Sequence, residues 1–193
     1  HDHPSYVGMI GSYGNRYANL ALANCDLLII LGSRLDTRQT GTRPDTFARA
    51  AKKIHVDVDP VELNYKVKVD LAILCDVKVF LQEVTAQLRS VNSRADIQPW
   101  LEWIAACRNK YPTQSKVLPS ANQLEPNRLI EMMSRYCRKG DIICLDVGQH
   151  QMWAAQSFQL QQGQRMLISG GMGAMGFALP AAIGGVIAAE DSR

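Results

Sequence analysis

Two glycine-rich segments near the carboxyl end of the chain each follow a short apolar run and precede a stretch with helical periodicity. The first begins at Asp146, after the apolar residues 142–145, and the second begins at Ser169, after residues 166–168. Turns of this kind meet at the carboxyl edge of a parallel sheet, where backbone N–H groups and helix dipoles favour anions. The sequence therefore predicts a site for an anionic ligand, such as a diphosphate, at that edge.

Apolar runs alternate with amphipathic stretches along the rest of the chain. The predicted strands are 26–31, 53–57, 72–75, 142–145 and 166–168, and the predicted helices are 17–25, 77–91, 97–111, 126–137, 149–157 and 177–189. Asp76 is a suitable N-cap for the helix that follows it. This alternation predicts an α/β fold made of three-layer units, with parallel sheets covered on both faces. The first unit is expected to be Rossmann-like.

Polar and proline-bearing stretches divide the chain. We predict a first domain over residues 1–91, a linker containing one helix over residues 92–122, and a second domain over residues 123–193.

Composition excludes several classes of function. The net charge of +3 comes from basic residues interspersed with acidic ones, which does not favour nucleic-acid binding. No apolar run reaches membrane-spanning length, so we expect no membrane partner. The five cysteines are odd in number and lack a Cys-x-x-Cys pair, which predicts reduced, buried thiols and a cytoplasmic location.

The segment Gly171–Gly176 satisfies the G-x-G-x-x-G pattern and lies between a predicted strand and a predicted helix. By itself it is compatible with a dinucleotide site. The residue order of both glycine-rich segments, however, resembles that of segments in thiamine diphosphate (ThDP) enzymes, most closely the catalytic subunit of acetolactate synthase. The resemblance extends over nearly the whole chain, which is similar to part of that family's middle domain joined to part of its ThDP-binding domain.

The resemblance implies roles for individual residues in cofactor binding. The Gly-Gln-His-Gln turn would contact the diphosphate, the Met175 side chain would support the bent cofactor, and the Gly173 carbonyl would accept from the 4′-amino group. The implied ThDP site comprises Val147, Gly148, Gln149, His150, Gly171, Gly173 and Met175.

Three further segments of the first domain stand at or near predicted strand ends, where open parallel sheets bind ligands: residues 11–14, 32–38 and 55–60. They resemble the family's FAD-binding segments, although Tyr13 replaces a common histidine and Gln39 a usual aliphatic residue. The implied FAD site comprises Gly11, Ser12, Tyr13, Gly14, Gly32, Arg34, Asp36, Arg38, Asp57, Val58 and Asp76. The alternative is that the charged residues 34, 36 and 38 form only a solvated salt-bridge cluster.

The family also uses Mg²⁺, held by a Gly-Asp-Gly motif and an asparagine, and a glutamate from a partner subunit. Neither feature is recognised in this sequence, so we assign it no catalytic residue and no metal ligand and expect no turnover from the chain alone. The resemblance implies a homo-oligomeric enzyme that decarboxylates pyruvate and adds the two-carbon unit to a second 2-oxoacid. The alternatives are another ThDP-dependent decarboxylase or carboligase, or a nucleotide-binding module without catalysis.

Overall fold

The computed structural model describes residues 3, 5–91, 95–114 and 124–189. The fold is α/β with parallel sheets, as predicted. The chain forms two compact units, the first made of residues 10–111 and the second of residues 1–9 and 112–193.

The first unit contains a three-stranded parallel sheet in the order β1-β2-β3. Its elements are α1 (Arg16–Asn24), β1 (Leu27–Leu31), α2 (Thr37–Thr40), a 3₁₀ turn (Pro44–Thr46), β2 (Lys52–Asp57), β3 (Leu71–Leu74), α3 (Val77–Arg89) and α4 (Gln98–Lys110). Ile30 lies opposite His55, which lies opposite Ala72. Because the three strands run in the same direction and share this register, their carboxyl ends lie at one edge of the sheet.

The core of the first unit is apolar and lies against β1. Its buried residues are Ile30, Leu35, Phe47, Ala48, Ala51 and Val67. By contrast, Leu27, Ile29 and Leu31 alternate with the inward side chains and remain exposed. Among the described residues of this unit, none covers that face of β1.

Helix α4, which the sequence places in a linker, packs against α1 and belongs to the first compact unit. Two cation–π contacts join these helices and their ends: the Arg16 guanidinium lies 4.1 Å from the Tyr111 ring centroid, and that of Arg108 lies 5.1 Å from the Tyr17 centroid. Each such contact stabilises an exposed interface by roughly 0.5–1 kcal/mol.

The second unit contains a two-stranded parallel sheet, β4 (Ile142–Leu145) and β5 (Arg165–Ile168), with helices α5 (Pro126–Tyr136), α6 (Gln149–Ser157) and α7 (Ala178–Ala188). Helix α5 packs against α6, and α7 packs against β4. A Cβ at Gly185 would lie 3.3 Å from the Ile142 side chain, so the glycine allows α7 to approach the strand closely.

The predicted strands and helices are confirmed, with ends displaced by at most two residues. Among the described residues, no helix combines the length and apolar character needed to cross a bilayer. All five cysteines are free thiols, as predicted. Each is half-buried, whereas the sequence predicted that they would be buried. Partial burial raises the pKa of the Cys25 thiol.

Candidate functional site

The structure brings the two glycine-rich turns of the second unit together. Leu145 and Ile168 are paired in the parallel register of β4 and β5, so both turns leave the same edge of the sheet from adjacent strand ends. Asp146 begins the first turn and Ser169 begins the second. The edge that sequence reasoning predicted as an anion site is therefore built from both segments.

The first turn opens directly into α6. Gly148 is the N-cap and has no side chain to accept from the first N–H groups of the helix. Gln149 and His150 occupy the first helical positions and are exposed. A helix N-terminus without a side-chain cap presents unsatisfied donors and a positive dipole end, which suits an anion from outside the chain.

The second turn is held by Ser169. Its carbonyl oxygen accepts from the Gly173 N–H at 3.0 Å, and its Oγ accepts from the Ala174 N–H at 3.2 Å. Gly173 has a φ of +66° and Gly176 a φ of +86°, values that glycine adopts without steric cost. Met175 stands between these positions with 84% of its surface exposed.

Asp146 joins the two turns, a function that the sequence did not indicate. Its Oδ1 accepts from the Gly176 N–H at 2.8 Å, and its Oδ2 accepts from the Ala178 N–H at 3.2 Å. Oδ1 also accepts from the adjacent Val147 N–H at 2.7 Å. The N-terminus of α7 is therefore already bound by a carboxylate of the chain itself, whereas no side-chain cap is seen at the N-terminus of α6 in the part of the chain that the structure describes.

These hydrogen bonds lower the pKa of Asp146 below its ordinary value of 3.8, with the Val147 N–H as the largest cause, followed by those of Gly176 and Ala178. Because the folded-state pKa is depressed, the link between the turns is complete above the ordinary carboxyl range and is lost as pH falls through the lowered value. We expect the Gly176 amide resonance, followed by NMR, to titrate with a midpoint below 3.8. A midpoint at or above that value would contradict this assignment.

In the first unit, the Gly11–Gly14 turn lies against the backbone of α2, the short helix that follows β1. The Ser12 N–H donates to the Arg38 carbonyl oxygen at 2.7 Å. Asn19 on α1, which sequence reasoning missed, holds the turn from the other side: its Oδ1 accepts from the Gly11 N–H at 2.8 Å, and its Nδ2 donates to the Gly11 carbonyl at 3.0 Å. Tyr13 and Gly14 are half-buried.

The carboxyl edge of the first sheet carries the other residues that sequence reasoning assigned to FAD. The Gly32 N–H donates to the Val56 carbonyl at 2.9 Å, and the Cys75 N–H donates to the Asp57 carbonyl at 3.0 Å. Gly32 and Asp76 therefore follow β1 and β3, and Asp57 ends β2, so that all three stand at neighbouring strand ends on one edge. Val58 is exposed there.

Three charged residues, Arg34, Asp36 and Arg38, follow β1. Asp36 caps α2, its Oδ1 accepting from the Arg38 N–H at 2.8 Å and from the Gln39 N–H at 3.2 Å. The Arg34 and Arg38 side chains are exposed. Asp76 caps α3 as predicted, accepting from the N–H groups of residues 78 and 79.

His55 is a third residue, after Asp146 and Asn19, to which sequence reasoning did not assign a role. It is fully buried, and its Nε2 lies 3.8 Å from Asp57 Oδ2. Neither ring nitrogen has a hydrogen-bond partner among the described residues. An apolar, alternating strand pattern gives no signal for such a position, because the pattern identifies which face is buried and not what a buried polar group meets.

Comparison with known proteins bears on both units. A family model described as the thiamine pyrophosphate enzyme central domain matches residues 1–84, and the C-terminal TPP binding domain model of the same enzymes matches residues 146–193. Thiamine pyrophosphate is another name for ThDP. The chain belongs to the thiamine pyrophosphate enzymes. The predicted family is confirmed, and the TPP binding domain model includes both turns described above.

Similar proteins include acetolactate synthase large subunits. The one from Cyanidium caldarium is 42% identical over 96% of this chain, and the one from Lactococcus lactis is 38% identical over 99%. Acetolactate synthase 2, chloroplastic, of Nicotiana tabacum is 36% identical over 96%. The chain spans 31%, 32% and 28% of the lengths of these three relatives, respectively.

Proposed function

We propose that this thiamine pyrophosphate enzyme chain binds ThDP across the two turns of the second unit and acts in an acetolactate synthase-like reaction. That reaction decarboxylates pyruvate and joins the two-carbon unit to a second 2-oxoacid. The proposal rests on one arrangement at this edge of the sheet. The N-cap of α6 makes no side-chain hydrogen bond, and Met175 is exposed on a loop that the Gly176–Asp146 hydrogen bond holds in place. One end of the site suits a diphosphate, and the other suits the apolar face of a ring.

The unequal state of the two helix N-termini supports ThDP over a dinucleotide. A dinucleotide fingerprint places its pyrophosphate at the N-terminus of the helix that the glycines open. Here that helix is α7, and the Ala178 N–H already donates to Asp146. Gly176, with its φ of +86°, also lies before the helix and not within its first turn. The G-x-G-x-x-G pattern is therefore better explained as a ring-binding loop.

Within this site, bound ThDP supplies the electron sink for decarboxylation, while the chain supplies binding and orientation. The exposed turn at Gly148, Gln149 and His150 would hold the diphosphate through N–H groups and the imidazole. Met175 would pack beneath the bent cofactor, and the Gly173 carbonyl would accept from its amino group. Val147 and Gly171 would border the same crevice.

We further propose that the first unit binds a flavin nucleotide at the carboxyl edge of its sheet. The exposed Arg34 and Arg38 side chains suit a diphosphate, and the carboxylate of Asp57, which is buried at the end of β2, suits ribose hydroxyls. The close approach of the Gly11 turn to the backbone at residue 38 gives this edge a defined shape.

Other features of the family stay proposals for this chain. Among the described residues, no group of three or more His, Cys, Asp or Glu side chains could hold a metal ion. We therefore assign none of them to the Mg²⁺ that the proposed reaction would use. Assembly as a homo-oligomer is proposed by analogy with the family. A cytoplasmic location stays a prediction, since the tobacco relative is named as chloroplastic.

Calorimetric titration of the purified chain with ThDP and with NAD, each in the presence of Mg²⁺, tests the proposal. We expect tighter binding of ThDP. Tighter binding of NAD would favour a nucleotide-binding module without this chemistry and would contradict the proposed function.

Replacing Gly148 with alanine tests the diphosphate end of the site. A Cβ at this position would lie 2.9 Å from Cε1 and Nδ1 of His150, so the imidazole must rotate away. We expect ThDP affinity to fall about tenfold, the equivalent of one lost charge-assisted hydrogen bond, with little change in thermal stability because the ring is flexible and exposed. Gly170→Ala is the control, since a Cβ there meets nothing within 4 Å. Equal affinities for the two variants would contradict the assignment of His150.

A further inference from the structure

The carboxylate of Asp146 makes long-range connections within the second unit. Its partners Gly176 and Ala178 lie 30 and 32 residues further along the chain. Asp146 itself directly follows β4 and precedes the Gly148 turn. A single side chain therefore connects the segment that leads to α6 with the end of the loop that leads to α7.

The loop is held by its backbone on both sides of Met175. The Ala174 N–H donates to Ser169 Oγ at 3.2 Å, and the Gly176 N–H donates to Asp146 Oδ1 at 2.8 Å. The Met175 side chain, in contrast, is 84% exposed and is not fixed by packing. The position of this methionine is thus set by the two hydrogen bonds at its neighbours.

The two turns would grip opposite ends of one ligand, so the spacing between them has to match that ligand. We propose that Asp146 is a positioning residue that sets the Met175 loop at the correct distance from the Gly148 turn for ThDP. This inference rests on the proposed function. It assigns no contact between Asp146 and the cofactor; the residue acts through the loop.

The chemistry of the side chain explains why an aspartate is suited to this position. An ionised carboxylate offers acceptors to both the Gly176 and the Ala178 N–H groups, and these bonds are charge-assisted. An asparagine keeps one acceptor oxygen but presents an NH₂ group where the second is needed. An alanine removes both.

The experiment compares two ligands on four proteins. ThDP and inorganic diphosphate, each with Mg²⁺, are titrated by calorimetry into the wild-type chain, D146A, D146N and the control D141N. Asp141 also accepts from a backbone N–H, that of Arg138 at 2.6 Å, but it lies at the other end of β4 and does not bond to the loop. Amide NMR spectra of the same proteins report on Gly176 and Ala178.

We expect D146A to bind ThDP at least about tenfold more weakly than wild type, D146N to fall between them, and D141N to match wild type. Inorganic diphosphate needs only the Gly148 turn, so its affinity should be retained in all variants. The amides of residues 176 and 178 should shift in D146A and not in D141N. General destabilisation of the chain would not lower the affinity for ThDP while leaving the affinity for inorganic diphosphate unchanged.

Equal loss of both ligands in D146A, or no loss of ThDP affinity, would overturn the inference. D146N, which keeps one acceptor, provides the same comparison if D146A does not fold. If the wild-type chain fails to bind ThDP, the proposed function is wrong. The amide spectra then decide the role of Asp146 separately: unchanged resonances of residues 176 and 178 would refute it, and shifted ones would support its hold on the loop.

Discussion

Replacing Gly11 with alanine is expected to destabilise the first compact unit by about 3 kcal/mol or more. A Cβ at this position would lie 2.4 Å from the Arg38 carbonyl oxygen and 3.0 Å from the Gln39 Cα. Both are backbone atoms, which cannot rotate away as a side chain can. The φ of +93° adds strain for any residue with a Cβ. Relief requires separation of the turn from α2, which would also break the Ser12–Arg38 hydrogen bond.

Gly41→Ala is the matched control for this prediction. Gly41 belongs to the same unit and has a φ of +78°, but a Cβ there meets nothing within 4 Å. We expect it to cost only the backbone strain of its φ of 78° and ψ of −175°, roughly 1–3 kcal/mol, with no steric contact added. Denaturant unfolding of both variants, followed by circular dichroism and tryptophan fluorescence, measures the difference. Similar losses of stability would show that the Gly11 turn moves without penalty and would contradict its close contact with the backbone of Arg38 and Gln39.

Replacing Met175 with alanine is expected to give the largest loss of cofactor binding. In the proposed complex the side chain leaves water and packs beneath ThDP. Burial of a methionine side chain contributes roughly 1.5–3 kcal/mol, which corresponds to about a ten- to hundredfold loss in affinity. Because the side chain is 84% exposed without ligand, its removal should leave the stability of the unliganded chain unchanged.

Met172→Ala is the control, because Met172 lies on the same loop and is 92% exposed. We expect this variant to bind ThDP as the wild type does. Calorimetric titration with ThDP and Mg²⁺, together with thermal unfolding of each unliganded variant, provides the two measurements. If both variants lose affinity equally, the loop contributes general apolar surface and Met175 has no special place in the site.

The strands and most helices could be predicted because each carries a local signal. The apolar run 142–145 gave the bounds of β4, and the periodicity after Asp76 gave the start of α3. Helix α2 was not predicted: it has four residues and no apolar period, and it depends on the Asp36 cap. The exposure of one face of β1 could not be predicted either, since an apolar run indicates that burial is favourable without showing which element provides it.

The residues proposed to contact ligands were found from glycine patterns at strand ends and from the family resemblance. The residues that fix those turns were not, although Asp146 begins one of the glycine-rich segments and Asn19 lies on the helix that follows the Gly11–Gly14 turn. Asp146 bonds to backbone groups 30 and 32 residues away, and Asn19 bonds to the backbone of Gly11, 8 residues away. Such partners depend on the register of the strands and the packing of the helices, and neither side chain differs in sequence from an ordinary surface polar residue. Local pattern therefore identifies the turns, and tertiary structure is needed to identify what holds them.

The paired register of β4 and β5 has a consequence for how this protein tolerates change. Both turns leave from Leu145 and Ile168, which are partners across the ladder. Side chains along these short strands can be exchanged without moving the turns, provided that the packing is kept. A residue inserted into or deleted from one strand would instead displace one turn by about 3.3 Å relative to the other and reverse the inward and outward faces beyond it. Natural or engineered variation within these strands should thus consist of substitutions. Changes in length should be confined to the connections that lead into them, which are the segment between α5 and Asp141 and the segment between residues 158 and 164.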